Sequence, residues 1–140
     1  MMEFTTNYTA LVVSAAAAFA LGMVWWHPKT FGKVWMKAMS TSGRSPEKLQ
    51  KESNMKVSFG LSALGWVLAA YILGHVLQLV GASGWQAGVQ TAFWMWLGFT
   101  GSLGLNAVAF EGQPKEIFWI NQSYYLVGLM VIGAILASWS

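Results

Sequence analysis

The chain has 140 residues, of which 56% are hydrophobic and only 9% are charged. A soluble domain has roughly 25% charged residues, so this composition argues against a soluble domain and predicts one integral membrane domain over residues 1–140. The absence of cysteine excludes disulfides, thiolate metal sites and cysteine nucleophiles. The net charge of +3 is concentrated in one loop beside apolar segments, which favours anionic lipid headgroups over nucleic acid as partners.

The first apolar stretch covers residues 8–26 and contains no charged residue. A helix needs about 20 apolar residues to cross the hydrocarbon core, so this stretch predicts a first transmembrane helix. No Lys or Arg precedes it, which argues against a cleaved signal peptide. Trp25 and Trp26 have rings that favour the headgroup level, and Pro28 is predicted to end the helix there.

A basic loop follows over residues 27–56. Within residues 30–39, apolar and basic residues form separate helical stripes, which predicts a short amphipathic helix in the membrane interface. The apolar stripe consists of Phe31, Val34, Trp35 and Met39. The predicted headgroup-binding residues are Lys29, Lys33, Lys37, Trp25, Trp26 and Trp35. A docking surface for a partner protein is the alternative role of this helix. Further along the loop, Ser45-Pro46-Glu47 predicts the start of a second short helix.

Three more apolar stretches, over residues 57–80, 87–110 and 117–139, are long enough to cross a bilayer. We therefore expect an all-α membrane protein in which four transmembrane helices form a bundle of two hairpins, with the amphipathic helix after the first span. Lys115 is the only basic residue outside the 27–56 loop. Basic loops favour the cytoplasmic side, so both are predicted to be cytoplasmic and both termini to be outside.

The third stretch has a stripe of small and polar residues at approximately helical spacing. The stripe consists of Thr91, Gly98, Ser102, Asn106 and Ala109. Small residues let helix backbones approach closely, so the stripe predicts packing inside the bundle. An oligomer contact or a pore is the less common alternative.

Near the predicted outer side, Tyr71, His75 and Gln78 are spaced at i, i+4 and i+7 and share one face of the second helix. Polar side chains in a span tend to face other helices or a cavity. The cluster predicts either a site for a small ligand or proton, or an interhelical hydrogen-bonded patch. A lone histidine lacks the partners that a metal site needs, so no metal site is predicted.

A second polar cluster is predicted at the inner side, around the turn that contains Pro114. Its candidate ligand or ion-site residues are His27, Asn106, Glu111, Asn121, Tyr124 and Tyr125, with Gln113 and Gln122 nearby. Glu111 together with His27 has the chemistry to bind a cation or to shuttle a proton. The alternative is that Glu111 accepts hydrogen bonds from helix-end amides or pairs with Lys115.

Several motifs resemble one known family. The segments WWHPKTFGKVWM, AAYILGHVL, LGFTGSLGLNAVAFEGQP and FWINQSYYLVGLMVIGAILA are similar to the domain-of-unknown-function family 1761, whose members are small bacterial membrane proteins of four predicted helices. The resemblance covers nearly the whole chain and implies a bacterial inner-membrane location, but it implies no activity. The matching positions are Trp25, Pro28, Phe31, Gly32, Lys33, Trp35, Asn106, Phe110, Glu111, Gly112, Asn121 and Tyr124.

These features predict a small membrane protein of unassigned activity, acting as a non-enzymatic oligomeric or accessory subunit of a membrane assembly. Its expected partners are lipids, further copies of the chain or a larger membrane complex. A small transporter or channel with a polar site near Glu111 is the first alternative, although the uncharged first span lacks the mid-membrane carboxylate of small multidrug exporters. A lipid, pigment or haem binder using His27 or His75 is the second alternative. The identity of any cofactor stays open.

Overall fold

A computed structural model describes residues 6–41 and 55–139. In these ranges the elements are, in chain order, α1 (Tyr8–Trp25), the π-helical segment π1 (Pro28–Gly32), α2 (Lys33–Thr41), α3 (Met55–Val80), α4 (Trp85–Met95), the π-helical segment π2 (Trp96–Gly101), α5 (Ser102–Phe110) and α6 (Lys115–Ser138). The described part of the chain is therefore all-helical, as predicted. The helix predicted at Ser45-Pro46-Glu47 lies outside the described residues.

α1 presents a narrow face of small residues to the rest of the bundle. The helix is capped by Asn7, whose side-chain oxygen accepts a hydrogen bond from the Ala10 N–H at 3.1 Å. Larger apolar side chains such as Val12 and Val24 are exposed on the other side, where an apolar surface suits lipid rather than water. The buried face consists of Ala10, Leu11, Ser14, Ala15, Ala18 and Gly22.

α6 is the central helix, since it packs against α1, α3 and α4. Its fully buried Ile132 belongs to a core cluster contributed by all four of these helices, which includes Leu11, Ala15, Ala18, Trp66, Ala70, Leu73, Leu77, Ala92 and Tyr124. Gly88 of α4 and Gly133 of α6 face each other so closely that a Cβ on either would meet the other's carbonyl oxygen. The Gly84 N–H also donates to the Ala137 carbonyl oxygen at 3.0 Å, which fixes the end of this contact.

The third predicted span is interrupted. Residues 85–110 are helical throughout but consist of α4, π2 and α5, and neither α-helical part alone is long enough to cross a bilayer. A π-turn arises where one extra residue enters a helical turn. Within the described residues, three helices are long and apolar enough to span a membrane, namely Tyr8–Trp25, Lys56–Val80 and Lys115–Ser138. Of the four predicted spans, three are therefore found as long apolar α-helices, whereas the third stretch is a helix interrupted by π2.

The predicted end of the first helix is confirmed. α1 ends at Trp25, and the chain turns through Trp26 and His27 before π1 begins. A residue that precedes proline is disfavoured in the helical region, and His27 accordingly has an extended backbone with φ −64° and ψ 140°. This turn redirects the chain from the bundle into the amphipathic segment.

The predicted amphipathic segment is helical, as π1 followed by α2, and it is tied to the bundle. Ala38 and Met39 are buried against Ile117 at the start of α6, and Trp35 packs beside them. The exposed positions include two residues of the predicted apolar stripe, Phe31 and Val34. Only part of the apolar stripe is therefore left for contact with lipid.

The described charges lie at one end of the bundle. Because α2 packs against the start of α6, Lys33 and Lys37 lie at the same end as Lys115. The opposite end contains Asn7, the turn over residues 81–84 and Trp139. All three contribute to the wall of one cavity, and the turn also contacts α6. This separation is the arrangement that two antiparallel hairpins require.

Candidate functional site

An aromatic cluster surrounds Tyr124 where α1, α3 and α6 meet. The Tyr124 ring centroid lies 5.3 Å from that of Trp66 and 6.3 Å from those of Trp25 and Trp26. The Tyr124 hydroxyl donates to the Ala18 carbonyl oxygen at 2.8 Å, and the residue is only 6% exposed. Tyr124, predicted as a candidate site residue, is therefore placed in the core, where it ties α6 to α1.

The same tryptophans position the amphipathic helix. Trp25 donates its indole N–H to the Ile120 carbonyl oxygen at 3.1 Å. The rings of Trp26 and Trp35 are 5.5 Å apart, and those of Trp25 and Phe31 are 5.1 Å apart. These contacts hold α2 against the end of the bundle where α6 begins.

A cavity of about 290 Å³ opens between α2, the turn after α5 and the first turns of α6. We call it the inner cavity. The turn is formed by Gly112, which has a φ of +66°, and by the Gln113 N–H, which donates to the Ala107 carbonyl oxygen at 3.1 Å. A left-handed glycine commonly ends a helix, and here it places its neighbours on the cavity wall. The lining consists of Trp35, Met39, Glu111, Gly112, Gln113, Pro114, Ile117 and Asn121.

The structure brings Glu111 and Asn121 together on the wall of the inner cavity, as the sequence predicted. Glu111 is exposed, and within the described ranges it forms no ion pair with Lys115 and accepts no side-chain hydrogen bond. The lining from α2, Trp35 and Met39, was assigned to lipid contact by the sequence. The sequence signal for these two residues was the apolar stripe of α2. A stripe alone does not specify which surface it packs against.

The other predicted inner residues lie elsewhere. His27 is exposed, and its Nδ1 accepts a hydrogen bond from the Lys29 N–H at 3.1 Å, so it is used to cap π1. It does not line the inner cavity with Glu111, and the predicted pair is not formed there. Asn106 is exposed on α5. Tyr125 is exposed on α6 and lines a lateral groove of about 520 Å³ with Ser62, Trp66, Thr100 and others.

The outer cluster predicted on the second helix opens on a cavity of about 250 Å³, which Tyr71, His75 and Gln78 all line. We call it the outer cavity, and Asn7 and Trp139 contribute to its wall. The His75 Nδ1 lies 2.7 Å from the Tyr71 carbonyl oxygen. Because a carbonyl oxygen only accepts, Nδ1 is the donor in this bond.

The two histidines lie at opposite ends of the bundle, so they cannot ligate one metal ion. His27 follows the inner end of α1, whereas His75 lines the outer cavity. Among the described residues, no group of three histidine, aspartate or glutamate side chains is arranged to hold a metal ion. The arrangement offers two separate polar cavities and a packed region of core between them.

Two buried polar atoms near π2 have no hydrogen-bond partner within the described residues, the Trp96 indole N–H and the Gln122 side-chain oxygen. The Trp96 ring packs against Gly101, 3.0 Å from where a Cβ would stand. The Gln122 amide carbon lies 3.0 Å from the point where a Cβ on Gly104 would stand. Both side chains therefore lie against the π2–α5 backbone, where a Cβ at either glycine would crowd them.

The model of one protein family matches residues 9–137, which is most of the chain. That family is described as protein of unknown function, DUF1761. The chain belongs to the DUF1761 family. No curated protein and no solved structure matches it.

Six of the twelve positions that carry the family resemblance lie in two neighbouring regions of this DUF1761 chain. Trp25 and Tyr124 belong to the aromatic cluster, whereas the inner cavity is lined by Trp35, Glu111, Gly112 and Asn121. The predicted resemblance is confirmed, and two of its polar motif residues, Glu111 and Asn121, line the inner cavity.

Proposed function

We propose that this DUF1761 chain is a non-enzymatic inner-membrane protein of four spans that associates with a second copy of itself through π2 and α5. The observation that carries the proposal is a stripe of small and polar residues on the exposed face of these two segments. The stripe contains Gly98, Ser102, Asn106 and Ala109. The sequence alone assigned these residues to packing inside the bundle.

The fourth span in this proposal consists of α4, π2 and α5 together. At about 1.5 Å per residue, residues 85–110 reach further than the roughly 30 Å thickness of the hydrocarbon core. Their first residue follows the outer turn, and Glu111 follows their last. A π-turn keeps its backbone groups hydrogen-bonded within the helix, so an interrupted helix of this kind is compatible with lipid.

The orientation in this proposal follows from the charges. Lys29, Lys33, Lys37 and Lys115 lie at the inner end, and loops rich in Lys face the cytoplasm. Both termini then lie outside. The lysines of α2 would contact anionic headgroups of the inner leaflet, as basic interfacial helices do.

Asn106 supports self-association most directly. Its side-chain amide is exposed on α5 and has no hydrogen bond to any described residue. A polar side chain that faces lipid is costly, whereas an amide that crosses to a neighbouring helix is satisfied. Two copies related by a two-fold axis would place the same stripes against each other, so that each Asn106 has a partner.

Transport and pigment binding have weaker support. The bundle centre between the two cavities contains Ala18 and Ile132, both fully buried, and the buried Tyr124. A packed centre favours a structural role over a permeation path. The histidines proposed as haem ligands lie at opposite ends, and His27 Nδ1 already accepts a hydrogen bond from its own turn.

Single cysteines test the proposed interface, because the natural chain has none. Ser102→Cys places a thiol in the stripe on α5, and Ser62→Cys places one on α3, where Ser62 is also exposed. In native membranes under mild oxidation, we expect a disulfide-linked dimer for S102C and not for S62C. Adding Asn106→Leu to S102C should reduce the dimer fraction, because the interhelical amide contact is lost.

A dimer that forms equally from S62C and S102C would reflect random collision and would contradict the interface. A monomeric mass for the wild-type chain after mild detergent extraction, together with no disulfide from S102C, would contradict self-association itself.

A further inference from the structure

The inner cavity combines a negative charge with uncharged acceptors and an apolar floor. Among the described residues, Glu111 is the only charged one that lines it, and Gln113 and Asn121, which have amide side chains, line it as well. Trp35, Met39 and Ile117 form the apolar part of the wall. A site of this composition has a carboxylate and several oxygen acceptors, which is the complement of a cation that donates N–H bonds.

We propose that the inner cavity binds a primary alkylammonium group. The carboxylate of Glu111 accepts a charge-assisted hydrogen bond from the ammonium, and the amide oxygens of Gln113 and Asn121 accept its remaining N–H bonds. Trp35 lies where an aromatic ring can face the cation. The alkyl part of the ligand contacts Met39 and Ile117.

The basic residues that the structure describes do not line this cavity. Lys115 follows Pro114 in the chain but is not part of the cavity wall, and within the described ranges it forms no ion pair with Glu111. Lys33 and Lys37 are exposed on α2, away from the stripe that contributes Trp35 and Met39. Among the described residues, no basic side chain therefore occupies the carboxylate of Glu111.

The inner end of the bundle is the level at which lipid headgroups lie in the proposed orientation. Two sources present a primary ammonium group at this level: the phosphatidylethanolamine headgroup and a free primary amine in the cytoplasm. Both sources present the same N–H donors, so the cavity chemistry is shared between them. Phosphatidylcholine differs because its ammonium is fully methylated and donates no N–H bond.

Native mass spectrometry of the purified full-length chain tests the site. Phosphatidylethanolamine, phosphatidylcholine and phosphatidylglycerol are added separately, and the dissociation constant of each adduct is measured. We expect phosphatidylethanolamine to bind more tightly than phosphatidylcholine, and Glu111→Gln to weaken its binding about tenfold through loss of the charge-assisted bond. Glu116→Gln is the matched control, because Glu116 is exposed in the first turn of α6 and does not line the cavity.

Asn121→Leu gives a second test that leaves the charge in place, and it should weaken phosphatidylethanolamine binding less than E111Q does. Competition by ethanolamine identifies the source. Ethanolamine that displaces the lipid at an equal concentration assigns the site to free amines, whereas ethanolamine that displaces it only in large excess assigns the site to the headgroup. The proposal is overturned if E111Q and wild type bind phosphatidylethanolamine equally, if phosphatidylcholine binds as tightly as phosphatidylethanolamine, or if neither lipid nor ethanolamine binds.

Discussion

Tyr124 is the residue through which the central helix α6 is fixed to α1 and α3. Its hydroxyl donates to Ala18 of α1, its ring contacts Trp66 of α3, and it leaves space only for a glycine at Gly22. The hydroxyl lies 2.6 Å from the point where a Cβ on Gly22 would stand. Polar and apolar contacts therefore converge on one side chain.

Tyr124→Phe should lower the free energy of unfolding by about 1 kcal/mol, because it removes one buried hydrogen bond and keeps the ring packing. Tyr124→Ala should lower it by about 3–5 kcal/mol, because it also leaves a cavity. Thermal unfolding of the purified protein in one detergent measures both changes.

The neighbouring tyrosine is the control for this experiment. Tyr125 is exposed and its hydroxyl has no hydrogen bond to a described residue, so Tyr125→Phe should leave the unfolding temperature unchanged. Equal shifts for Tyr124→Phe and Tyr125→Phe would show that the Tyr124–Ala18 bond contributes no specific stability.

Among the elements, the contact between α4 and α6 depends on two glycines. Gly88→Ala should destabilise the fold by about 1–3 kcal/mol, since the added methyl meets the Gly133 backbone rather than a side chain that can move. The same detergent unfolding assay measures the effect. We also expect proteolysis within residues 81–84 to become faster, because that turn is held by the contact.

Gly65→Ala is the matched control on α3, where a Cβ would meet nothing within 4 Å. Alanine has a higher helix propensity than glycine by up to about 1 kcal/mol, so Gly65→Ala should be neutral or stabilising. Destabilisation by G65A equal to that by G88A would mean that any helix glycine is sensitive, and that the close approach at Gly133 has no special role.

The bounds of the long helices could be predicted from the lengths of the apolar stretches, because a helix must be about that long to cross the hydrocarbon core. α1, α3 and α6 begin and end within two residues of the predicted spans. π2 could not be predicted in this way, since a single extra residue in a turn leaves the hydropathy unchanged. The extra residue rotates the following helix by about 100°. As a result Gly101 and Gly104 face Trp96 and Gln122, whereas Gly98 and Ser102 of the predicted packing stripe point outward.

The polar sites were predictable where all residues belong to one helix or one hairpin. Tyr71, His75 and Gln78 share a face because of helical periodicity alone, and Glu111 meets Asn121 because a short turn joins their helices. Whether Glu111 pairs with His27 could not be predicted in this way, because it depends on the path of the chain after Pro28. That path depends on tertiary contacts of Trp25 and Trp26, which no local pattern specifies.

At the scale of the whole molecule, each polar cavity lies at one end and the described lysines share an end with the inner cavity. α2 covers this end, where its Trp35 and Met39 line the cavity. In the proposed orientation, a basic helix that closes the cytoplasmic end would contact lipid phosphate with one face and the cavity ligand with another.

This arrangement predicts which residues are accessible from each side of the membrane. Ser83→Cys places a thiol in the turn over residues 81–84, and Lys37→Cys places one on α2, where both positions are exposed. With intact spheroplasts and a membrane-impermeant maleimide, we expect S83C to be labelled at once and K37C only after permeabilisation. The chain has no native cysteine, so wild type serves as the unlabelled control.

Labelling at the two positions together distinguishes a wrong number of spans from a wrong orientation. Labelling of K37C but not S83C in intact spheroplasts would keep the hairpins and invert the orientation, which would contradict the positive-inside argument. Labelling of both from outside would place the 81–84 turn and α2 on one side, which is incompatible with α3 crossing the membrane. Because α3 alone separates Lys37 from Ser83 among the long apolar helices of the described residues, opposite accessibility of these two residues depends directly on that crossing.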